Sequence, residues 1–156
     1  WLQRPDDEWG LQDRLLAAGC ALLHQLRRTV TAETRFTCSA GIAENKLMAK
    51  LCSGLHKPDQ QTVLPRLAVP ALMAQLPLNR IRGLGAKLGE RVQERLGVSM
   101  VSQLADVSSE VLRREFGEKT GRWLTRIAHG YDDEAVKERR LNDSISNGKT
   151  RLGVTD

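Results

Sequence analysis

Hydrophobic positions recur at helical spacing along most of this chain, and at strand spacing in only two short stretches. Residues 8–28 place leucines and alanines along one face of a long amphipathic helix. The alternating apolar side chains of residues 35–42 predict a strand, residues 44–56 a helix, and residues 60–65 a second short strand. Strand, helix and strand in this order predict a compact β-α-β unit, part of a small sheet layered with helices.

After Pro65 the pattern changes to helices alone. These are predicted over residues 69–76, 86–96, 100–107, 109–117 and 119–130. Ser108 or Ser109 offers an N-cap, and Gly117 and Gly130 are suitable helix stops. The sequence therefore predicts an α+β fold that is mostly helical, with no strand of five or more residues between 70 and 130. Its parts are a β-α-β region over 1–65, an all-helical region over 66–130, and a polar linker over 131–156 that leads into one further strand.

Composition narrows the class of protein. A hydrophobic content of 40% with only 4% aromatic residues predicts an aliphatic core. The chain has no run of about 18 apolar residues, so we expect no membrane span, and its first residues do not form a signal peptide. Three widely spaced cysteines form neither a CxxC metal motif nor a disulfide framework, which predicts free, mostly buried thiols in a reducing compartment.

The net charge of +5 is unevenly distributed. Residues 37–100 carry nine basic and four acidic side chains, whereas residues 1–36 carry five of each and residues 101–156 ten of each. Excess positive charge around a glycine-rich turn is typical of a surface that binds nucleic acid. Chance clustering on a solvated surface is the alternative.

The glycine-rich turn lies in NRIRGLGAKLGERVQERLGV, residues 79–98, where Gly83, Gly85 and Gly89 stand among five basic residues. A dinucleotide-binding loop is disfavoured, because a proline and two arginines precede the glycines in place of a buried strand. A helix-hairpin-helix, flanked by helices 69–76 and 86–96, would direct backbone amides at a DNA phosphate without reading bases. A turn whose glycines only permit close packing remains open.

The helix-hairpin-helix interpretation makes two structural predictions. Leu84 should turn inward and anchor the hairpin between its two helices. A Cβ at either Gly83 or Gly85 should block the approach of DNA or forbid a positive φ.

A second basic group lies in NKLMAKLCSGLHKPDQQTVL, residues 45–64. Lys46 and Lys50 are four residues apart and share one helical face, followed by Lys57 before a proline. Taken alone, this is the solvated side of an amphipathic helix.

Residues 37–64 resemble the last palm segment of Y-family translesion DNA polymerases, which carries an Ala-Lys pair, a small-residue step, then Lys-Pro and Gln-Thr-Val. The stretch RIRGLGAKLGERVQERLGV resembles the thumb hairpin of that family. LRREFGEKTGRWLTRIAHGYDDEAVKER is similar to the eta branch, more than to the iota and kappa branches. Several motifs in the right order make the resemblance specific, and it covers essentially the whole chain.

The resemblance implies a role for each region. Residues 1–65 would be the end of the palm, 66–130 the thumb, and 131–156 a linker and the start of the little finger. Lys50 would reach the triphosphate of the incoming dNTP, while Lys46 inherits no role. The DNA-binding residues would be Arg82, Gly83, Gly85 and Lys87, which hold the backbone of primer–template DNA.

The resemblance also implies what this stretch lacks. The carboxylates that bind Mg²⁺ in the family lie in a Ser-x-Asp-Glu cluster, which we expect upstream of Trp1. Glu44, Asp59 and Glu90 match no such motif, so no catalytic residue and no metal ligand is predicted here. The stretch alone should not polymerise, although the full-length protein should be a nucleotidyltransferase.

The family relation carries further expectations about the whole protein. These are translesion synthesis in DNA repair, a nuclear location, and a sliding clamp bound through regions other than this one. The alternative is a standalone helix-hairpin-helix module of a repair protein, which binds DNA without sequence preference. The β-α-β unit favours the polymerase, because a pure binding module has no use for the Lys50 helix.

Overall fold

The computed structural model describes residues 3–138. Its elements are α1 (Leu11–Thr34), β1 (Ala40–Ile42), α2 (Lys46–Leu55), β2 (Gln61–Val63), α3 (Val69–Ala74), α4 (Lys87–Leu96), α5 (Val101–Ala105), α6 (Ser109–Phe116) and α7 (Glu118–Ala128), with one-turn 3-10 helices at Asp6–Glu8, Arg66–Ala68 and Leu78–Arg80. The predicted α+β, mostly helical fold is confirmed. The strand expected late in the linker lies outside the described residues.

The predicted β-α-β unit is present, with shorter strands than expected. β1 and β2 pair in parallel, with Ala40 opposite Gln61, and α2 is the connection between them. The prediction that the first strand begins at residue 35 was wrong. α1 continues to Thr34, since no proline or glycine stops it, and Arg35 then leaves the helix in the left-handed region at φ 62°.

Polar contacts tie α1 to the sheet. The Arg27 guanidinium donates to the carbonyl of Cys38 at 2.8 Å and pairs with Asp59 at 2.6 Å. The Gln61 side chain, on β2, donates to the carbonyl of Cys20 at 2.9 Å. These bonds join the long helix to the starts of both strands, which lie side by side in the parallel pair.

Close packing joins β1 to α2. A Cβ on Gly41 would lie 2.1 Å from the carbonyl oxygen of Ala49, so only glycine allows this approach. Beside it, Cys52 is fully buried, and burial raises the pKa of its thiol to about 11. All three cysteines are free, as predicted, but the prediction that most of them are buried was wrong, since Cys20 and Cys38 are only partly buried.

From residue 66 to residue 130 the chain is helical, with only an isolated antiparallel bridge between Pro77 and Met100. The prediction of no long strand between 70 and 130 is therefore confirmed. Gly117 joins α6 to α7 at φ 83°, and a Cβ on Gly121 would lie 2.5 Å from Arg113 Cα, so these two helices pack backbone to backbone. No helix among residues 3–138 is both long and apolar enough to cross a membrane.

The end of α7 meets the start of α2. Asn45 caps α2 by accepting from the N–H of Met48 at 2.9 Å, and its amide donates to the carbonyl of Gly130 at 2.8 Å. The Asp132 carboxylate accepts from the N–H of Leu47 at 3.1 Å. The first turn of α2 is thus satisfied partly by residues that follow the last helix.

Candidate nucleic-acid interface

The hairpin lies between the 3-10 turn Leu78–Arg80 and α4. It is closed by the N–H of Leu84, which donates to the carbonyl of Ile81 at 2.9 Å. Leu84 is only 1% exposed, so the prediction that it anchors the hairpin from inside is confirmed.

The first arm of the hairpin differs from the predicted helix 69–76. α3 ends at Ala74, and the arm itself is the single 3-10 turn. Pro77 separates the two, because proline has no N–H for a continuing helix and disfavours helical geometry in the residue before it.

The three glycines differ in backbone conformation and in the space around them. Gly83 has φ +95°, and a Cβ there would lie 3.1 Å from the ring of Trp123. Gly89 lets α4 rest on the hairpin, since a Cβ would come within 1.8 Å of the carbonyl oxygen of Leu84. Gly85 has no positive φ, and its Cβ would lie 3.3 Å from the Asn79 oxygen. A Cβ would therefore forbid a positive φ at Gly83 alone, and for Gly85 the blocked approach of DNA stays a prediction.

Backbone donors are available at the tip of the hairpin. Within residues 3–138, the N–H groups of Gly83 and Gly85 donate no hydrogen bond to the chain. α4 starts after Ala86, whose side chain provides no cap, so the first N–H groups of this helix are free as well. Free amides at the positive end of a helix dipole attract anions such as phosphate.

Two predicted cationic residues flank these donors. The Arg82 side chain is 66% exposed, and Lys87 is the exposed first residue of α4. Arg82 is engaged by the Glu134 carboxylate at 3.3 Å, and Glu134 also accepts a hydrogen bond from Lys46. That bond, with the positive charges of Lys46, Arg82 and Lys137, lowers the pKa of Glu134 below its ordinary value.

A groove of about 470 Å³ runs between α2 and the hairpin. Lys50 lines it from α2, and Arg82, Gly83 and Gly85 line it from the hairpin. The structure thus brings Lys50 together with the hairpin residues, while Lys87 lies outside the lining of the groove.

Sequence reasoning missed several neighbours of this groove. Arg80 lines it and could have been found, since it stands beside the hairpin in the same basic stretch. Trp123, which supports Gly83, and Glu134, which holds Arg82, come from distant parts of the chain. No local sequence pattern predicts the contact of Trp123 with Gly83 or that of Glu134 with Arg82.

The three acidic residues that matched no metal-binding motif either form ion pairs or are exposed to solvent. Glu44 pairs with Arg66 at 3.4 Å and Asp59 with Arg27, while Glu90 is exposed on α4. In the part of the chain that the structure describes, no group of three His, Cys, Asp or Glu side chains could hold a metal ion.

Comparison with known proteins shows which family this chain resembles. Residues 76–131, which contain the hairpin and α4 to α7, match the family model described as DNApol eta/Rev1, HhH motif. Residues 7–54, which contain α1, β1 and most of α2, match the impB/mucB/samB family. The chain is 45% identical to DNA polymerase eta of Arabidopsis thaliana over 153 residues, which is 98% of the chain and 22% of that protein. The chain belongs to the Y family of DNA polymerases.

Other Y-family relatives agree. DNA polymerase eta of Drosophila melanogaster is 44% identical over 133 residues, 85% of this chain and 15% of that protein. DNA polymerase IV of Nitrosopumilus maritimus is 33% identical over 128 residues, 82% of this chain and 34% of that protein. The chain therefore spans about a fifth or less of the length of its eta relatives. The helix-hairpin-helix interpretation of the glycine-rich turn is confirmed as a motif.

Proposed function

We propose that this chain is the part of a translesion DNA polymerase that holds primer–template DNA by its backbone, through the hairpin at Gly83 and Gly85. The observation that carries the proposal is the set of free main-chain amides at the hairpin and at the uncapped start of α4, within a matched helix-hairpin-helix motif.

The chemistry of the hairpin suits a phosphate and not a base. Main-chain N–H groups present the same donors to every nucleotide, so they fix the position of the backbone without reading sequence. Arg82 and Lys87 add positive charge beside them. Binding should therefore be independent of DNA sequence. Its affinity should fall as salt rises, because binding releases the cations that surround DNA, and this release is less favourable at high salt.

We further propose that Lys50 serves the triphosphate of the incoming dNTP in the whole polymerase. Its exposure and its position in the groove beside Arg82 support this role. A lysine supplies a mobile point charge, which suits negative charge that moves onto pyrophosphate during nucleotidyl transfer.

The remaining expectations concern the whole protein. Polymerase activity would require Mg²⁺, and no cluster of acids in residues 3–138 fits that ion, so it would be held elsewhere. We assign 1–65 to the palm, 66–130 to the thumb and 131–156 to a linker that leads to the little finger. A nuclear location, a role in DNA repair and a sliding-clamp partner complete the proposal. The separate match of residues 7–54 disfavours a standalone hairpin module.

The test is a titration of the 156-residue chain against labelled primer–template DNA and an unrelated duplex, at about 50 and about 200 mM salt. Gly85→Val should remain folded, because Gly85 has no positive φ and the 3.3 Å contact of its Cβ with the Asn79 oxygen needs only a small shift, yet its methyl groups would keep a phosphate away from the amides. Lys87→Ala removes one screened charge and should weaken binding less.

A circular dichroism melt of each variant provides the control for folding. If Gly85→Val binds like the parent chain while remaining folded, the glycines serve packing alone and the proposed function is wrong. Loss of binding with Gly85→Val, greater than with Lys87→Ala and alike for both DNA sequences, would support it.

A further inference from the structure

The exposed cation of the hairpin, Arg82, forms an ion pair with an acidic side chain of this chain, Glu134. Glu134 follows α7 by six residues and pairs with Arg82 at 3.3 Å, across 52 positions of sequence. The same carboxylate accepts a hydrogen bond from Lys46 at the start of α2. One anion of the chain is thus shared between the hairpin and α2.

The backbone around Glu134 is held in place. Asp132 accepts from the N–H of Glu134 at 3.1 Å through one oxygen, and from the N–H of Leu47 at 3.1 Å through the other. Two residues earlier, the carbonyl of Gly130 accepts from Asn45 at 2.8 Å. The position of Glu134 beside Arg82 therefore follows from fixed backbone contacts as well as from charge.

We propose that Glu134 competes with DNA phosphate for Arg82, so that the segment after α7 limits the affinity of the hairpin for DNA. Carboxylate and phosphate oxygens both accept from the same guanidinium N–H groups. This inference rests on the proposed function, since it assumes that DNA binds at the hairpin.

Lys46 makes the exchange possible without leaving an unpaired charge. When a phosphate takes Arg82, Glu134 keeps its hydrogen bond to Lys46 on α2. The side chains of Arg82 and Glu134 are 66% and 48% exposed, so water can solvate both during the exchange. A pair this exposed is weak, and its competition should change affinity by a small factor and not abolish binding.

The experiment compares Glu134→Gln with Asp133→Asn in the 156-residue chain. Both remove one negative charge, but Asp133 pairs with Arg126 at 2.6 Å and has no contact with Arg82. Glu134→Gln should tighten binding to labelled primer–template DNA about two- to fivefold at low salt. Asp133→Asn should tighten it less, through the general change in charge alone. Equal effects of the two variants would overturn the inference.

A double-mutant cycle provides a second readout. In an Arg82→Gln background, Glu134→Gln should have no greater effect than Asp133→Asn, because the contested cation is gone. If Glu134→Gln retains its full effect there, Glu134 acts on DNA at another place and the inference is wrong.

Different results would contradict the proposed function and the competition by Glu134. If the parent chain does not bind DNA, or if folded Gly85→Val binds as the parent does, the proposed function fails. If Gly85→Val loses binding while Glu134→Gln and Asp133→Asn bind equally, the function stands and only the competition by Glu134 is excluded.

Discussion

The two regions of this molecule bury their apolar side chains very differently. In α1, only Leu16 is buried, while Leu11, Leu15, Leu22 and Leu26 are between 55% and 71% exposed. After residue 66, the leucines, valines and isoleucines at the centre of the helices are at most 2% exposed: Leu78, Ile81, Leu84, Val92, Val101, Leu104, Leu112, Leu124 and Ile127. Most of the apolar core therefore lies among the helices after residue 66, and no residue of α1 belongs to it.

This difference shows which element joins the two regions. Leu47, Met48 and Cys52 of α2 belong to the same apolar cluster as the helical region. α2 therefore packs on the sheet through Gly41 and on the helices through its buried face. We infer that the groove beside Lys50 is rigid because α2 is part of the main core, whereas α1 contributes little to it.

The largest expected effect separates the two regions directly. Leu124→Ala removes a side chain that is 0% exposed and should lower the free energy of unfolding by about 2–5 kcal/mol. Leu22→Ala removes one that is 68% exposed and should change it by less than about 0.5 kcal/mol. Urea denaturation of the 156-residue chain measures both. A cost for Leu22→Ala close to that of Leu124→Ala would show that α1 is buried in solution.

A glycine in each region gives the next comparison. Gly89→Ala places a Cβ 1.8 Å from the carbonyl oxygen of Leu84 and should destabilise the chain by roughly 1–3 kcal/mol. Gly54→Ala meets no atom within 4 Å and should stabilise α2 by up to about 1 kcal/mol, since alanine favours helix. Thermal melts would record shifts in opposite directions. A melting temperature unchanged by Gly89→Ala would mean that α4 does not rest on the hairpin.

The helices could largely be predicted because their signals are local. α4 to α7 each begin and end within two residues of the predicted bounds, and the stops at Gly117 and Gly130 do have positive φ. Where no stop residue occurs, as between residues 28 and 34, the predicted end of α1 was too early. Apolar periodicity gives the type of an element more reliably than its ends.

The candidate site could be predicted only in part. The hairpin sequence located the turn, and it also predicted the inward direction of Leu84. The pattern could not assign the positive φ to Gly83 alone, because both hairpin glycines suit a turn equally well. It could not reveal the pairing of Glu134 with Arg82 either, since the two lie 52 residues apart and meet only because the segment after α7 contacts the start of α2.

The proposed function also gives the two regions different roles. In the full-length protein, Lys50→Ala should reduce kcat/KM for dNTP incorporation about tenfold or more, because a hydrogen bond to a charged group contributes roughly 1.5–3 kcal/mol. Its affinity for primed DNA should change little, whereas Gly85→Val should lower that affinity. Lys46→Ala is the control on the same helix, since Lys46 is paired with Glu134. If kcat/KM for dNTP incorporation were unchanged by Lys50→Ala, Lys50 would be an ordinary solvent-exposed lysine without a role at the triphosphate.

The last comparison concerns the contact between the two regions. Asn45→Ala removes both the cap of α2 and the donor to Gly130, and should lower the free energy of unfolding by about 1–2 kcal/mol. Ser108→Ala removes only a cap, at α6, where the oxygen accepts from Val111 at 3.4 Å, and should cost about 0.5–1 kcal/mol.

Asn45→Ser separates the two contributions of Asn45. A serine hydroxyl can cap α2, but it is too short to reach the carbonyl of Gly130 and has no amide to donate. Its cost in urea denaturation should therefore fall between that of Asn45→Ala and zero. If Asn45→Ala cost no more than Ser108→Ala, the bond to Gly130 would contribute nothing, and the two regions would be held together by the apolar packing of α2 and by its other polar contacts, those of Leu47 with Asp132 and of Lys46 with Glu134.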